Sequence, residues 1–238
     1  QQGYMQESRP NRLANFLGVY LAHANIEGQI TLVWEPIDET AQSRQTWKYE
    51  TVSRRVVRVP SLAYDDLDQR TQGLRTSDQY DGWNGSPNRY DWKLLGKREM
   101  FIPYNGYKTN FECPPEEAMK PKHMSPDCER FELLRVWKVE ATLKQGMRHA
   151  YSKRVYYFDE DLSGAAMFDA FDKGGNLFRS LFATHAQLYD KQIPMSYRNV
   201  VYDFNKNMYA TVNDVTEGGY KFKSNATERE MNPESVVA

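Results

Sequence analysis

The 238-residue sequence has only two cysteines, and its four histidines, His23, His123, His149 and His185, are scattered. That scarcity excludes the common metal sites. Zinc needs about four ligands at short spacing, and the chain holds neither a C-x-x-C pair nor an H-E-x-x-H run. No serine sits in a G-x-S-x-G elbow, and no glycine-rich phosphate or dinucleotide loop occurs. No run approaches the roughly 18 apolar residues of a membrane-spanning helix. An excess of one charge is also missing: the net charge is −1, without the basic face that nucleic acid demands. Nothing in the chain reads as a catalytic residue, a metal ligand or a cofactor motif. The start, QQGYMQESRPNRLANF, lacks an initiator Met, a charged n-region and an apolar h-region. It reads as the interior of a longer precursor, or as a processed fragment, which the intact mass of the natural protein tests.

What the chain does have is aromatic residues, at 13%, with 16 tyrosines, within a hydrophobic total of 40%. Aromatics favour strands and line ligand cavities, and they also fill ordinary β cores. Residues 11–26 are read as a short helix leading to a strand. After that the pattern is β. GQITLVWEP, RQTWKYE and RRVVRVPSLAYD are short strands closed by turn residues. A long polar connection rich in Gly, Asp and Asn follows, with a helical turn near Asp78 to Gly82. YDWKLLGKREMFIPYN is a strand with Gly96 as a bulge. In RFELLRVWKVEATLKQG, Phe131, Leu133, Trp137, Val139, Ala141 and Leu143 share one parity, which predicts a long strand with one buried face. HAYSKRVYYFD returns as a hairpin partner, and KGGN supplies a turn before LFRSLFATHAQLYD and MSYRNVVYDFNKNMYATVN. Strands at this spacing predict one mostly antiparallel sheet of eight to ten strands, mostly β within an α+β class, curved into a partly open barrel.

Cys113 and Cys128 lie in FECPPEEAMKPKHMSPDCERFELL, a segment crowded with proline and charge that looks like surface rather than core. Two cysteines with His123 between them make an incomplete metal site at most. A disulfide or two free thiols remain, and the polar loop favours the disulfide. It would close a loop of about 15 residues, worth about 3 kcal/mol in the chain-entropy model, and it implies a periplasmic or extracellular setting.

Several segments, taken in order, resemble a family of Gram-negative proteins: GQITLVWEP, RRVVRVPSLAYDD, GLRTSDQYDGWNGSPNRYDWKLLGKREMFIPYN, RFELLRVWKVEATLKQGMRHAYSKRVYYFDED and YDFNKNMYA. The family is the domain of unknown function numbered thirteen twenty-nine, described as similar to the outer-membrane lipoprotein carriers LolA and LolB. The resemblance covers about residues 20–210 and matches the family's C-terminal half; its most specific block is LRTSDQYDGWNGSPNRYDWKLLGK. It implies a precursor roughly twice this length with a signal peptide, and a LolA/LolB-like unclosed barrel with few helices. It also implies a periplasmic location, outer-membrane association included, and carriage of a lipid or other hydrophobic molecule. The implied partners are a resistance-nodulation-division-type transporter, an outer-membrane protein, and the protein's own N-terminal half. On this reading residues 1–238 form a single domain, the C-terminal part of a longer protein, with a polar tail over 217–238.

No enzyme is expected, because no catalytic residue carries over and none stands out. Asp159, Glu160 and Asp161 read as a turn rather than a calcium loop. Arg54, Arg55 and Arg58 read as a solvated strand face, with a phosphate headgroup as the functional alternative. Trp83 and Trp92, with Tyr90, sit in a loop rich in Asn-Gly and Ser-Pro turns, either a rim that gates a cavity or a packed loop. The inward face of the curved sheet is assigned Trp34, Trp47, Trp137, Val139, Tyr157, Phe168 and Phe182. Burying about 300 Å² of lipid tail there at roughly 25 cal/mol/Å² gives about 7.5 kcal/mol before association costs, which suits reversible carriage. The alternative is a non-catalytic structural or interaction subunit of an outer-membrane or transporter assembly, which predicts a filled core instead of a cavity.

Overall fold

A computed structural model describes residues 11–22, 24, 26–59, 65–68, 71–162, 164–212, 221–222 and 227–236. The chain divides into two compact units, Gln1–Asp66 with Lys221–Ala238, and Leu67–Tyr220. Instead of one sheet, the described residues form antiparallel sheets of four, seven and two strands.

In the first unit β1 (Ala14–Val19), β2 (Ile30–Glu35), β3 (Gln45–Glu50) and β4 (Arg55–Arg58) pair in chain order. The helix expected within 11–26 is not there. ANFLGV is a strand that pairs with β2 from Ala14↔Glu35 to Val19↔Ile30. Asn15 and Gly18 weaken any helix, and the ladder satisfies the backbone instead. Leu32 is fully buried at the centre of this sheet. Part of the polar tail is docked: Val236 is buried, and the Trp34 indole N–H donates to the Met231 carbonyl at 2.9 Å. Residues 213–220, 223–226 and 237–238 of that region lie outside the described residues.

The second unit holds the seven-stranded sheet, in the order β13-β12-β11-β10-β9-β8-β5. Its strands are β5 (Tyr90–Pro103), β8 (Phe131–Leu143), β9 (Lys153–Asp159), β10 (Ala165–Phe171), β11 (Leu177–Leu188), β12 (Ile193–Asp203) and β13 (Met208–Val212). The edge strands β5 and β13 do not meet, so the sheet is unclosed. From β8 onward it is a meander, and Gly175 (φ +82°) makes the turn before β11. Gly96 (φ +93°) sits where the β5–β8 register shifts between Leu94 and Lys97, the bulge its position predicts.

The single buried parity expected of β8 holds only in its second half. Val139, Ala141 and Leu143 belong to the main core, whereas Phe131 and Leu133 are 39% and 56% exposed. There the opposite parity is inside, with Leu134 and Val136 packed around Ile102 and Ala166. β9 pairing ends at Val136↔Asp159, so the rest of β8 pairs with β5 alone. Beyond the bulge this two-stranded ribbon twists its other face inward.

Cys113 and Cys128 are bonded. Their loop carries a single helical turn α1 (Pro115–Ala118) and the two-residue strands β6 (Met119–Lys120) and β7 (His123–Met124). It is less superficial than its composition suggests. Cys113, Ala118, Met124 and Cys128 are buried against Val200, with Tyr202 and Tyr209 beside them. The loop thereby covers one face of β12 and β13.

Candidate functional site

The opposite face of the seven-stranded sheet is built by strand alternation. Register pairs place Val139 beside Tyr156, Tyr156 beside Phe168, Phe168 beside Leu181, and Leu181 beside Val201. One step along the strands the same face carries Ala141, Arg154, Ala170, Arg179 and Asp203. Two arginines and Asp203 therefore stand in an otherwise apolar and aromatic surface, and Arg154 has no solvent exposure at all.

One stretch of chain covers this face. Residues 71–89 hold only short 3-10 turns, at Ser77–Gln79 and Pro87–Arg89. Leu74 packs on Val201 and Val212, and the Asn199 amide donates to Asp81 at 3.4 Å. Gly82 (φ +89°) lies so close to β10 that an added Cβ would stand 2.7 Å from the Ala165 Cβ. Trp83 enters an aromatic cluster, with ring centroids 4.9 Å from Trp92 and 5.9 Å from Tyr156. Trp92 stacks on Tyr156 at 5.8 Å, and Tyr156 meets Phe168 at 5.4 Å.

The polar centre of the contact is Asp78. Its Oδ2 accepts from Arg154 Nη2 at 2.6 Å and from His149 Nε2 at 3.0 Å, and its Oδ1 accepts from the Thr76 hydroxyl at 2.7 Å. The Tyr151 N–H donates to His149 Nδ1 at 3.0 Å, which leaves Nε2 to carry the proton given to Asp78. Burial would raise the Asp78 pKa, but Arg154 and His149 outweigh it and hold the carboxyl well below its usual range. The Arg154 guanidinium carbon lies 4.6 Å from the Trp83 ring, 4.7 Å from Tyr90 and 5.1 Å from Tyr151. Burial pushes the Tyr156 hydroxyl far above its ordinary pKa, so it stays protonated.

Arg179 is held differently. Its Nε donates to Asp203 on the neighbouring strand at 2.8 Å, its Nη1 to the Tyr151 hydroxyl at 3.1 Å, and its Nη2 to the Gly73 carbonyl at 2.8 Å. The Tyr151 hydroxyl in turn donates to Gln79 Oε1, and the Gln79 side chain caps its own turn by accepting from the Thr76 N–H at 2.8 Å.

Of the residues assigned from sequence, the structure gathers Trp83, Trp92 and Phe168 here. Trp34 and Trp47 pair with each other at 4.6 Å in the first unit, and the Arg12 guanidinium lies 3.9 Å above Trp34. Trp137 sits under Lys97 at 4.5 Å. Tyr157 and Phe182 are on the other face, joined through the pairs Tyr157↔Met167 and Met167↔Phe182. Tyr157 donates to Asp169 at 3.2 Å, and Phe182 meets Phe131 and Tyr202. Within the second unit, Tyr157 and Phe182 therefore do not share a face with Trp83, Trp92 and Phe168. The sequence offered His149 only as one of four scattered histidines and Asp78 only as the start of a helical turn, and it singled out none of Tyr151, Arg154 and Arg179. A cleft of about 270 Å³ opens among Glu99, Leu133, Leu134, Arg135, Glu160 and Asp161. Among the described residues no group of three His, Cys, Asp or Glu is arranged to hold a metal ion, and no helix is long and apolar enough to cross a membrane.

The family model for a protein of unknown function, DUF1329, matches residues 1–236. The chain belongs to the DUF1329 family. An uncharacterized protein of Pseudomonas aeruginosa is 38% identical to it over 239 residues, which is 98% of this chain and 52% of that protein. The DUF1329 chain thus spans about half the length of that curated relative. The crystal structure of a DUF1329 family protein from Desulfovibrio piger has a TM-score of 0.58 at 16% identity, covering 92% of this chain and 75% of that one. That of a putative outer membrane lipoprotein-sorting protein domain from Vibrio parahaemolyticus has a TM-score of 0.59 at 13% identity, covering 93% and 77%. The fold here is accordingly the mostly β, unclosed antiparallel architecture that it shares with these two structures.

Proposed function

We propose that this DUF1329 chain is the sheet-bearing part of a periplasmic carrier for a lipid or other hydrophobic molecule, captured with its binding face covered by its own chain. The observation that carries this reading is the cover itself. The aromatic face is occupied by residues 71–89, a segment of turns with one bridge, Leu67↔Thr76, and no strand ladder to the sheet. Because no strand ladder ties it to the sheet, this segment can part from the face without breaking any strand pairing. The fold likeness to a lipoprotein-sorting domain supports the same reading, and the bonded Cys113–Cys128 pair suits an oxidising compartment such as the periplasm. Hand-over to a transporter of the resistance-nodulation-division type and an outer-membrane protein completes the proposal.

One observation favours an interaction subunit instead. Phe101 and Leu133, paired across β5 and β8, are 62% and 56% exposed and form an apolar outer face on the ribbon. Native mass spectrometry of the protein from its own periplasm separates the two readings. A lipid-sized mass that leaves on activation is the carrier's result. A bare chain found within a larger protein complex defeats the carrier and favours the subunit.

A further inference from the structure

We infer that the cargo of this face is an anionic amphiphile, whose carboxylate or phosphate takes the place of Asp78 at Arg154; this rests on the carrier reading above. The two buried arginines of this face are neutralised from different places. The carboxylate on Arg179 belongs to Asp203, on the adjacent strand of the sheet. The carboxylate on Arg154 belongs to Asp78, on the cover. When the cover lifts, Arg179 keeps its counterion and Arg154 loses its own.

A guanidinium left without an anion in an aromatic surface is costly, because low-dielectric surroundings magnify an uncompensated charge. A neutral hydrocarbon sliding into that space would seal the cation in without a partner. An amphiphile with an anionic head replaces one carboxylate by another, and its tail covers Trp92, Tyr156 and Phe168 on the sheet. The sheet also has unused donors for such a head. Arg154 Nε and Nη1 and the Tyr156 hydroxyl are buried without a hydrogen-bond partner among the described residues. Tyr156 lies two residues along β9 from Arg154, on the same face, with the guanidinium carbon 5.9 Å from its ring. A guanidinium offering free N–H groups beside a hydroxyl is a fitting receptor for a planar carboxylate or a phosphate.

The test is calorimetric titration of the full chain with four probes of equal chain length: palmitate, hexadecyl phosphate, hexadecanol and hexadecyltrimethylammonium. The expected result is that one or both anions bind at least tenfold more tightly than the alcohol, with the cation weakest; which anion leads separates a fatty-acid head from a phospholipid head. The double variant Asp78→Asn with Arg154→Gln removes both charges together, so no lone buried ion is left, and its preference for anions should vanish. Equal affinity for palmitate and hexadecanol, or an anion preference that survives in the double variant, overturns the inference while leaving the carrier intact. Failure of all four probes to bind the wild-type chain overturns both.

Discussion

Asp78 and Arg154 show how much one pair of side chains can control. Both are fully buried, and the pair ties a loop to a strand 76 positions away in sequence. Replacing one partner leaves the other charged and alone, so Asp78→Asn should lower stability by about 3–5 kcal/mol, read from urea denaturation. The pH dependence has a definite sign. The folded pKa of Asp78 lies below its ordinary value of 3.8, so its stabilisation is complete above that value and is lost as pH falls below it. The stability gap between wild type and Asp78→Asn should therefore be constant near neutrality and shrink below about pH 4. Neither residue could be picked from the sequence. Asp78 sits in a polar stretch that looks solvated, and KRVYYFD shows no alternation because both faces of β9 are covered. The cysteine pair was legible, since its spacing argues against a metal site or a redox pair and its polar setting favours a disulfide over two free thiols. Its burial was not, because proline and charge at the loop surface mask the few residues that face Val200.

At the level of elements, turn residues and period-two patterns made most of β2 to β13 legible, Gly96 included. The β1 strand was misread because residues 14–19 alone do not show the partner β2 that decides their conformation, and the β8 face because its burial changes where β9 pairing ends at Val136. The two glycines that shape the site give contrasting expectations. Both need positive φ, which costs a residue with a Cβ about 1–2 kcal/mol. An added Cβ at Gly96 meets nothing within 4 Å, so Gly96→Ala should cost about that much and no more. Gly82→Ala drives a methyl against Ala165, so it should cost clearly more and loosen the cover. Denaturation midpoints of the two variants, with hydrogen exchange at residues 76–84, check both points. Equal losses at the two positions would show that the cover does not press on β10.

Across the molecule, the order of the seven-stranded sheet carries a kinetic consequence. Every neighbouring pair from β8 to β13 is consecutive in the chain, so each forms by closing a short hairpin. The β5–β8 pair is the exception, separated by residues 104–130, and the Cys113–Cys128 bond lies wholly inside that gap, with a sequence separation of 15. Once made, the bond lets the chain bypass those residues and roughly halves the contour that must be brought round before β5 meets β8. Halving a loop is worth about 0.6 kcal/mol of closure entropy. If that contact belongs to the folding nucleus, oxidised protein should refold about threefold faster than reduced protein, as followed by stopped-flow tryptophan fluorescence. Export through an oxidising compartment would then set the folding rate of the chain as well as its final stability.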